Sequence, residues 1–200
     1  MRPQLRRFNS SFTAIILTLF GFGILMIYSG NHKLAFQQLL FGIIGFVVFS
    51  LLRQVDYRVY KNIAPHLYFL SIFLLLLIFI VGTEVRGSTR WFDLGIFRFQ
   101  PSELVKPLLI IVMSTFITQK DMTRVKNYFI SLILMVLPIF LVFQQPDLGN
   151  SLILVSIWVS IIFISQTKMF YLILTAVCSL SILPVFYLFM EQYQKNRLKR

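Results

Sequence analysis

Apolar residues run along this chain in long blocks separated by short polar joints, with no alternation of apolar and polar positions. A helix needs about 20 residues to cross the hydrocarbon core of a bilayer. Seven blocks approach that length, at roughly 11–29, 34–52, 63–82, 102–119, 128–144, 151–165 and 169–190. The sixth is short and is expected to start nearer Asp147. Without a period of two there is no barrel signal, and no internal repeat is visible. Pro107, Pro138 and Pro184 lie inside blocks. Each removes one helical hydrogen bond and is expected to kink its helix.

Composition agrees with the pattern. The chain is 58% hydrophobic and 13% charged, with a mean hydropathy of +0.80, whereas soluble domains are about a quarter charged. The fold class expected is all-α: a polytopic membrane helix bundle of about seven spans, forming one membrane domain over residues 1–200. A net charge of +12 would suggest nucleic acid in a soluble protein. Here the basic residues cluster between apolar blocks, which is a topology signal and argues against nucleic acid. With the N-terminus inside, the inner joints hold Arg2, Arg6, Arg7, Arg53, Arg58, Lys61, Lys120, Arg124, Lys126 and Lys168. The outer joints hold Lys33, Arg86, Arg90 and Arg98. Ten against four places the N-terminus in the cytoplasm. No small-residue cleavage site follows the first block, so that span is retained. The tail with Lys195, Arg197, Lys199 and Arg200 breaks the rule, and the chain stops inside this basic run as a cut piece would.

Cys178 is the single cysteine, so no disulfide forms within the chain. His32 and His66 are isolated, and no metal-ligand spacing is present. The outer loop, about 83–101, concentrates the polar chemistry. In Gln100-Pro101-Ser102-Glu103, Pro suits the first helical position, and Glu103 falls where a carboxylate can reach the cap and oppose the dipole. Lys106 fits neither role. A cation in the first turns is unfavourable for the dipole, but at three residues' spacing it shares a face with Glu103 and can pair with it. Such an intramembrane pair points to a polar cavity. Arg90 and Trp91 read either as interfacial anchors or, with Arg86 and Arg98, as guanidinium groups for a phosphate or diphosphate. Asp147, between blocks five and six, either caps the sixth helix or positions a polar substrate or an arginine. Asp56 and Asp121 read as solvated anchors on the inner side.

Arg90-Trp91-Phe92-Asp93-Leu94-Gly95 through Gln100-Pro101-Ser102-Glu103-Leu104-Val105-Lys106 resembles the hallmark loop and fourth span of the SEDS proteins (shape, elongation, division and sporulation). Gln145-Pro146-Asp147-Leu148-Gly149 resembles their second hallmark, and Tyr193-Gln194-Lys195-Asn196-Arg197 the start of their large external loop. Asp-Leu-Gly after Trp91 and the tail resemble the elongation branch more than the division branch. The likeness runs the whole chain but covers only about the first half of such a protein. Arg86 and Ser88 depart from it, standing where many members have Asn and Ala.

The resemblance implies a peptidoglycan glycosyltransferase of the bacterial inner membrane that polymerises lipid II into glycan strands for elongation and rod shape. It implies binding of lipid II and undecaprenyl diphosphate-linked glycan, a class B penicillin-binding transpeptidase as partner, and other membrane proteins of the elongation complex. Glu103 and Lys106 match the family's important fourth-span pair, and the matching substrate-side positions are Arg90, Trp91, Gln100, Ser102, Asp147 and Arg197. The family's essential aspartate lies in the large external loop, beyond Arg200, so no catalytic residue is expected within the chain and a product ending there is expected to be inactive. No cofactor is fixed by the likeness, which leaves room for a divalent cation. The alternatives are a lipid II flippase and an inactive truncated scaffold of the wall-synthesis complex.

Overall fold

The computed structural model describes residues 10–52, 54–85, 88–93 and 98–178. Helix α1 (Ser10–Gly30) and helix α2 (His32–Leu52) lie in a first compact unit, Met1–Val59. Asn31 alone separates them. Its backbone N–H donates to Ile27 O at 2.8 Å and ends α1, while its Oδ1 accepts from the N–H groups of Lys33 and Leu34 at 3.0 and 3.2 Å and starts α2. This capping is why the second helix begins before the apolar block does. Both helices expose Phe, Leu and Ile almost all round, as helices with lipid for solvent can.

The second unit is Tyr60–Arg200. It holds nearly all of α3 (Tyr57–Val81), three short strands, β1 (Thr83–Val85), β2 (Ser88–Asp93) and β3 (Arg98–Phe99), and then α4 (Pro101–Gln119), α5 (Val125–Gln144) and α6 (Leu148–Ile164). A further apolar helix, α7, is described over Met169–Cys178. Each of the seven expected blocks therefore carries a helix, and among the described residues five of the helices are long and apolar enough to cross a membrane. The start of α3 lies six residues before its block because Asp56 Oδ1 accepts the Arg58 N–H at 2.9 Å, capping a polar first turn. Helices α3, α4 and α5 continue through Pro65, Pro107 and Pro138; Pro184 lies outside the described residues.

The core of this unit follows the helical period. Val105, Leu109 and Met113 of α4 pack with Met135, Leu141 and Val142 of α5 and Leu154, Trp158 and Ile162 of α6, with Leu75 from α3. Small hydroxyl residues sit among them. Ser71, Ser131 and Ser151 are buried and return their hydroxyls to carbonyls of their own helices at 2.7–2.8 Å. Such residues let helix backbones approach without leaving a polar group unpaired in hydrocarbon. Gln145, also buried, donates from Nε2 to Leu75 O at 3.0 Å and fastens the α5–α6 turn to α3.

The outer loop is more ordered than its sequence suggests. Its strands form an antiparallel sheet in the order β1-β2-β3. Thr83 pairs with Trp91, Glu84 with Thr89 and Val85 with Ser88, with an irregularity between Thr83 and Glu84. Phe92 pairs with Phe99 and Asp93 with Arg98. The Phe92 and Phe99 rings stack at 6.4 Å, and Arg98 Nε lies 3.5 Å from Asp93 Oδ2, both of them stabilising cross-strand pairs. The sheet fixes where β2 meets the starts of α4 and α6.

Candidate functional site

Two helix N-termini and one strand bring the polar residues of the loop together. Gln100 occupies the cap position of α4 in extended conformation, with Pro101 opening the helix, as expected from the missing proline N–H. The Gln100 side chain makes no cap bond. Its Nε2 donates instead to Ser102 Oγ at 3.0 Å and to Asp147 Oδ2 at 2.9 Å. This ties the start of α4 to the start of α6.

Asp147 is the hub. It caps α6, its Oδ1 accepting from the Asn150 N–H at 3.2 Å. Its Oδ2 accepts from Gln100 and also from Asn150 Nδ2 at 2.9 Å. Arg90 Nη1, reaching in from β2, lies 3.5 Å from Oδ1. The two readings open for Asp147, helix cap and partner of an arginine, are both realised. Its side chain is 9% exposed and that of Arg90 is 22% exposed. A charge so buried is tolerable only when paired and hydrogen-bonded, and this one is.

Lys106 stands one and a half turns into α4, with its side chain 17% exposed. Its Nζ donates to Glu103 Oε2 at 2.8 Å and to Asn150 Oδ1 at 3.1 Å. Glu103 thus serves the lysine rather than the cap, and its side chain is 56% exposed. A carboxylate in the first turn still favours the dipole, so it offsets the cost of a cation there. Asn150 Nδ2 also donates to Ser102 Oγ at 3.2 Å, and Ser102 is fully buried.

Gln100, Ser102, Glu103, Lys106, Asp147 and Arg90 therefore converge. Trp91 is half-buried on β2, and its described polar contact is through its backbone carbonyl, which accepts the Thr83 hydroxyl at 3.0 Å. Of the guanidinium groups expected together, Arg90 reaches Asp147, and Arg98 pairs with Asp93 on an exposed stretch of the sheet because strand register sets it opposite that acid. Arg86 and Arg197 lie outside the described residues. Asn150 is the member that sequence reasoning missed. A polar side chain one turn after a cap, in an otherwise apolar helix, is the signal that marks it. Among the described residues no group of three or more His, Cys, Asp or Glu side chains comes together to hold a metal ion.

The site can neutralise and orient. Two cations from different elements, Arg90 and Lys106, each lean on one acid and are joined by amides. The arrangement suits an anionic group with several oxygens, such as a diphosphate.

Comparison with known proteins shows what the chain is similar to. A family described as Cell cycle protein, comprising FtsW, RodA and SpoVE, matches residues 10–200. Peptidoglycan glycosyltransferase MrdB of Escherichia coli K12 is 32% identical over 189 residues, covering 92% of this chain and 51% of that protein. The probable peptidoglycan glycosyltransferase FtsW of Trichlorobacter lovleyi is 27% identical, covering 98% of this chain and 55% of that protein. The chain spans about half the length of the curated relatives it matches. The crystal structure of the rod shape determining protein RodA of Thermus thermophilus superposes with a TM-score of 0.75 at 25% identity, covering 89% of this chain and 61% of that one. A chain from a peptidoglycan synthase complex, whose structure concerns coordination of polymerization and crosslinking, shares the fold with a TM-score of 0.82 at 23% identity, covering 96% and 58%.

Proposed function

Because this chain belongs to the FtsW, RodA and SpoVE family of cell cycle proteins, we propose that it is part of a peptidoglycan glycosyltransferase of the RodA type, which polymerises lipid II during elongation. It is a multi-pass protein of the bacterial inner membrane. The observation that carries the proposal is the charge-compensated cluster of Arg90, Asp147, Asn150 and Lys106, largely enclosed, with the more exposed Glu103 beside the lysine, at the starts of α4 and α6. On the topology read from the basic residues, this cluster lies at the outer face, where glycan strands are made.

The reaction joins an acceptor sugar hydroxyl to the anomeric carbon of the donor. The bond from that carbon to the diphosphate oxygen breaks, undecaprenyl diphosphate departs and the hydroxyl proton passes to a base. Negative charge grows on the departing diphosphate, and donors aimed there lower the barrier. Lys106 and Arg90 are the groups we assign to that task. Asp147 is already committed to Arg90, Gln100 and Asn150, so its role is to hold the arginine rather than to take the proton. The base belongs to the large external loop that the family resemblance places beyond Arg200. Gln100 and Ser102 brace the starts of α4 and α6 against each other. Newly made strands must also be cross-linked, and we assign that step to a class B penicillin-binding transpeptidase acting with this protein.

Purified full-length protein given lipid II in detergent tests the reading. Glycan strands without any membrane to cross support the polymerase. A protein that moves lipid II across vesicles yet makes no strands would instead be a flippase, and one that does neither would be a scaffold.

A further inference from the structure

Asn150 touches both charge pairs of the site with one carboxamide. Its Oδ1 accepts from Lys106 Nζ at 3.1 Å, and its Nδ2 donates to Asp147 Oδ2 at 2.9 Å and to Ser102 Oγ at 3.2 Å. The residue is buried. Turning the amide over would set N–H against an ammonium and a carbonyl against a carboxylate, so the charges on either side fix its orientation. An aliphatic side chain there would leave both neighbours short of a partner, and an acid would add a second carboxylate beside Asp147. A continuous line of contacts results: Glu103 to Lys106 at 2.8 Å, Lys106 to Asn150, Asn150 to Asp147, and Asp147 to Arg90 at 3.5 Å. Hydrogen bonds linked in this way polarise one another where the surroundings are of low dielectric.

We propose that Asn150 is a positioning residue that couples Lys106 on α4 to Arg90 on β2. When an anion draws on the lysine, the amide and Asp147 pass the change to the arginine and its strand. The two cations then respond together to a diphosphate instead of binding it independently. This deepens the reading of the site as that of a polymerase, but its test does not depend on the reaction.

The test is a mutant cycle read by hydrogen exchange of residues 88–93 in the full-length protein, purified in detergent without substrate. Lys106→Met is placed in three backgrounds: Asn150, Asn150→Thr and Asn150→Val. Thr and Val have the same shape, but only the Thr hydroxyl can accept from the lysine and donate to the carboxylate. Lys106→Met is expected to speed exchange of 88–93 by about threefold with Asn or Thr at 150, and to leave it unchanged with Val, a coupling that a double-mutant cycle isolates. An equal effect in the Val background would mean that residue 150 only packs, and would overturn the proposal. So would the absence of any effect with Asn150 in place. Should Asn150→Val fail to accumulate, Asn150→Ala replaces it. Alanine also lacks a group that can bond to the lysine or the carboxylate, so the effect on 88–93 should vanish; its persistence would refute the coupling. Strand synthesis from lipid II by the unaltered protein, measured alongside, separates failure of the polymerase reading from failure of this one.

Discussion

Arg90 on β2 and Asp147 at the start of α6, 57 positions apart in sequence (147 minus 90), meet at 3.5 Å in a nearly closed setting. The acid does two jobs at once, capping a helix and holding an arginine, and substitutions can separate them. Asp147→Asn keeps a capping oxygen but removes the charge that balances Arg90. We expect normal membrane abundance with strand synthesis reduced at least about tenfold, which corresponds to roughly 1.4 kcal/mol of transition-state stabilisation. Asp147→Ala loses the cap, at about 0.5–2 kcal/mol, and strands the donors of Gln100 and Asn150 as well. Its abundance should also fall. Wild-type synthesis by Asp147→Asn would remove the arginine-holding role.

The pair on α4 is predicted to be asymmetric. Lys106 is largely enclosed and Glu103 is mostly exposed, so the acid can be replaced in part by water while the lysine cannot. Lys106→Ala in the full-length protein should abolish rescue of rod shape without lowering membrane abundance. Glu103→Gln, which keeps an acceptor for the lysine, should retain partial rescue. Cell shape and an immunoblot of the membrane fraction check both. Normal rescue by Lys106→Ala would end the assigned role of the pair.

These relationships were unequally legible in the sequence. The spans were readable because an unbroken run of about twenty apolar residues suits a bilayer crossing and little else, and the start of α6 at Leu148 was readable from Asp147. The Glu103–Lys106 contact followed from helical spacing alone. Contacts between elements were not readable. Nothing local indicates that Gln100 reaches across to Asp147, or that Asn150 bridges two charges. Those depend on where α4 and α6 cross, which is set by packing of Val105, Leu109 and Leu154. The strands were missed for a related reason. Each is two to six residues long, too short for a period to declare itself, and their register is set by cross-strand pairs such as Phe92 with Phe99.

Gly82, between α3 and β1, is a position where only the smallest residue fits. Its N–H closes the helix on Ile78 O at 2.8 Å, and an added Cβ would collide with that same carbonyl oxygen. The oxygen belongs to a helical backbone that cannot give way. Gly82→Ala is expected to lower the melting temperature and to loosen β1, with faster exchange over residues 83–85. Unchanged exchange there would show that the turn can relax.

Tyr128 offers a control remote from the site. It is buried, its hydroxyl donates to Tyr171 O at 3.0 Å and lies 2.6 Å from Thr175 Oγ1, and its ring packs against Trp158. These contacts join α5 to α6 and α7. Tyr128→Phe keeps the ring and loses the hydroxyl, a loss of about 0.5–1.5 kcal/mol for one hydrogen bond. Melting should fall by a few degrees while strand synthesis per folded molecule stays at the wild-type level. A selective loss of synthesis would mean that this aromatic cluster communicates with the outer site.

Asp121, in the joint between α4 and α5, gives a pH prediction. The Thr123 hydroxyl and backbone N–H donate to its Oδ1 at 2.6 and 3.0 Å, and Arg124 Nε lies 3.2 Å from Oδ2. These contacts, the Thr123 hydroxyl first among them, hold the carboxyl below its ordinary value of 3.8. A group lowered on folding stabilises the fold above its unfolded value and loses that contribution as pH falls through the folded one. Asp121→Asn should therefore melt below the wild type at pH 6, and the gap should close as the pH is taken below 3.8. The carboxylate is about half exposed, so the gap should be small and should shrink further in high salt. Melting curves of the two proteins across that range decide it: a gap that does not change with pH would mean that the Asn variant alters the shape of the joint, not its charge.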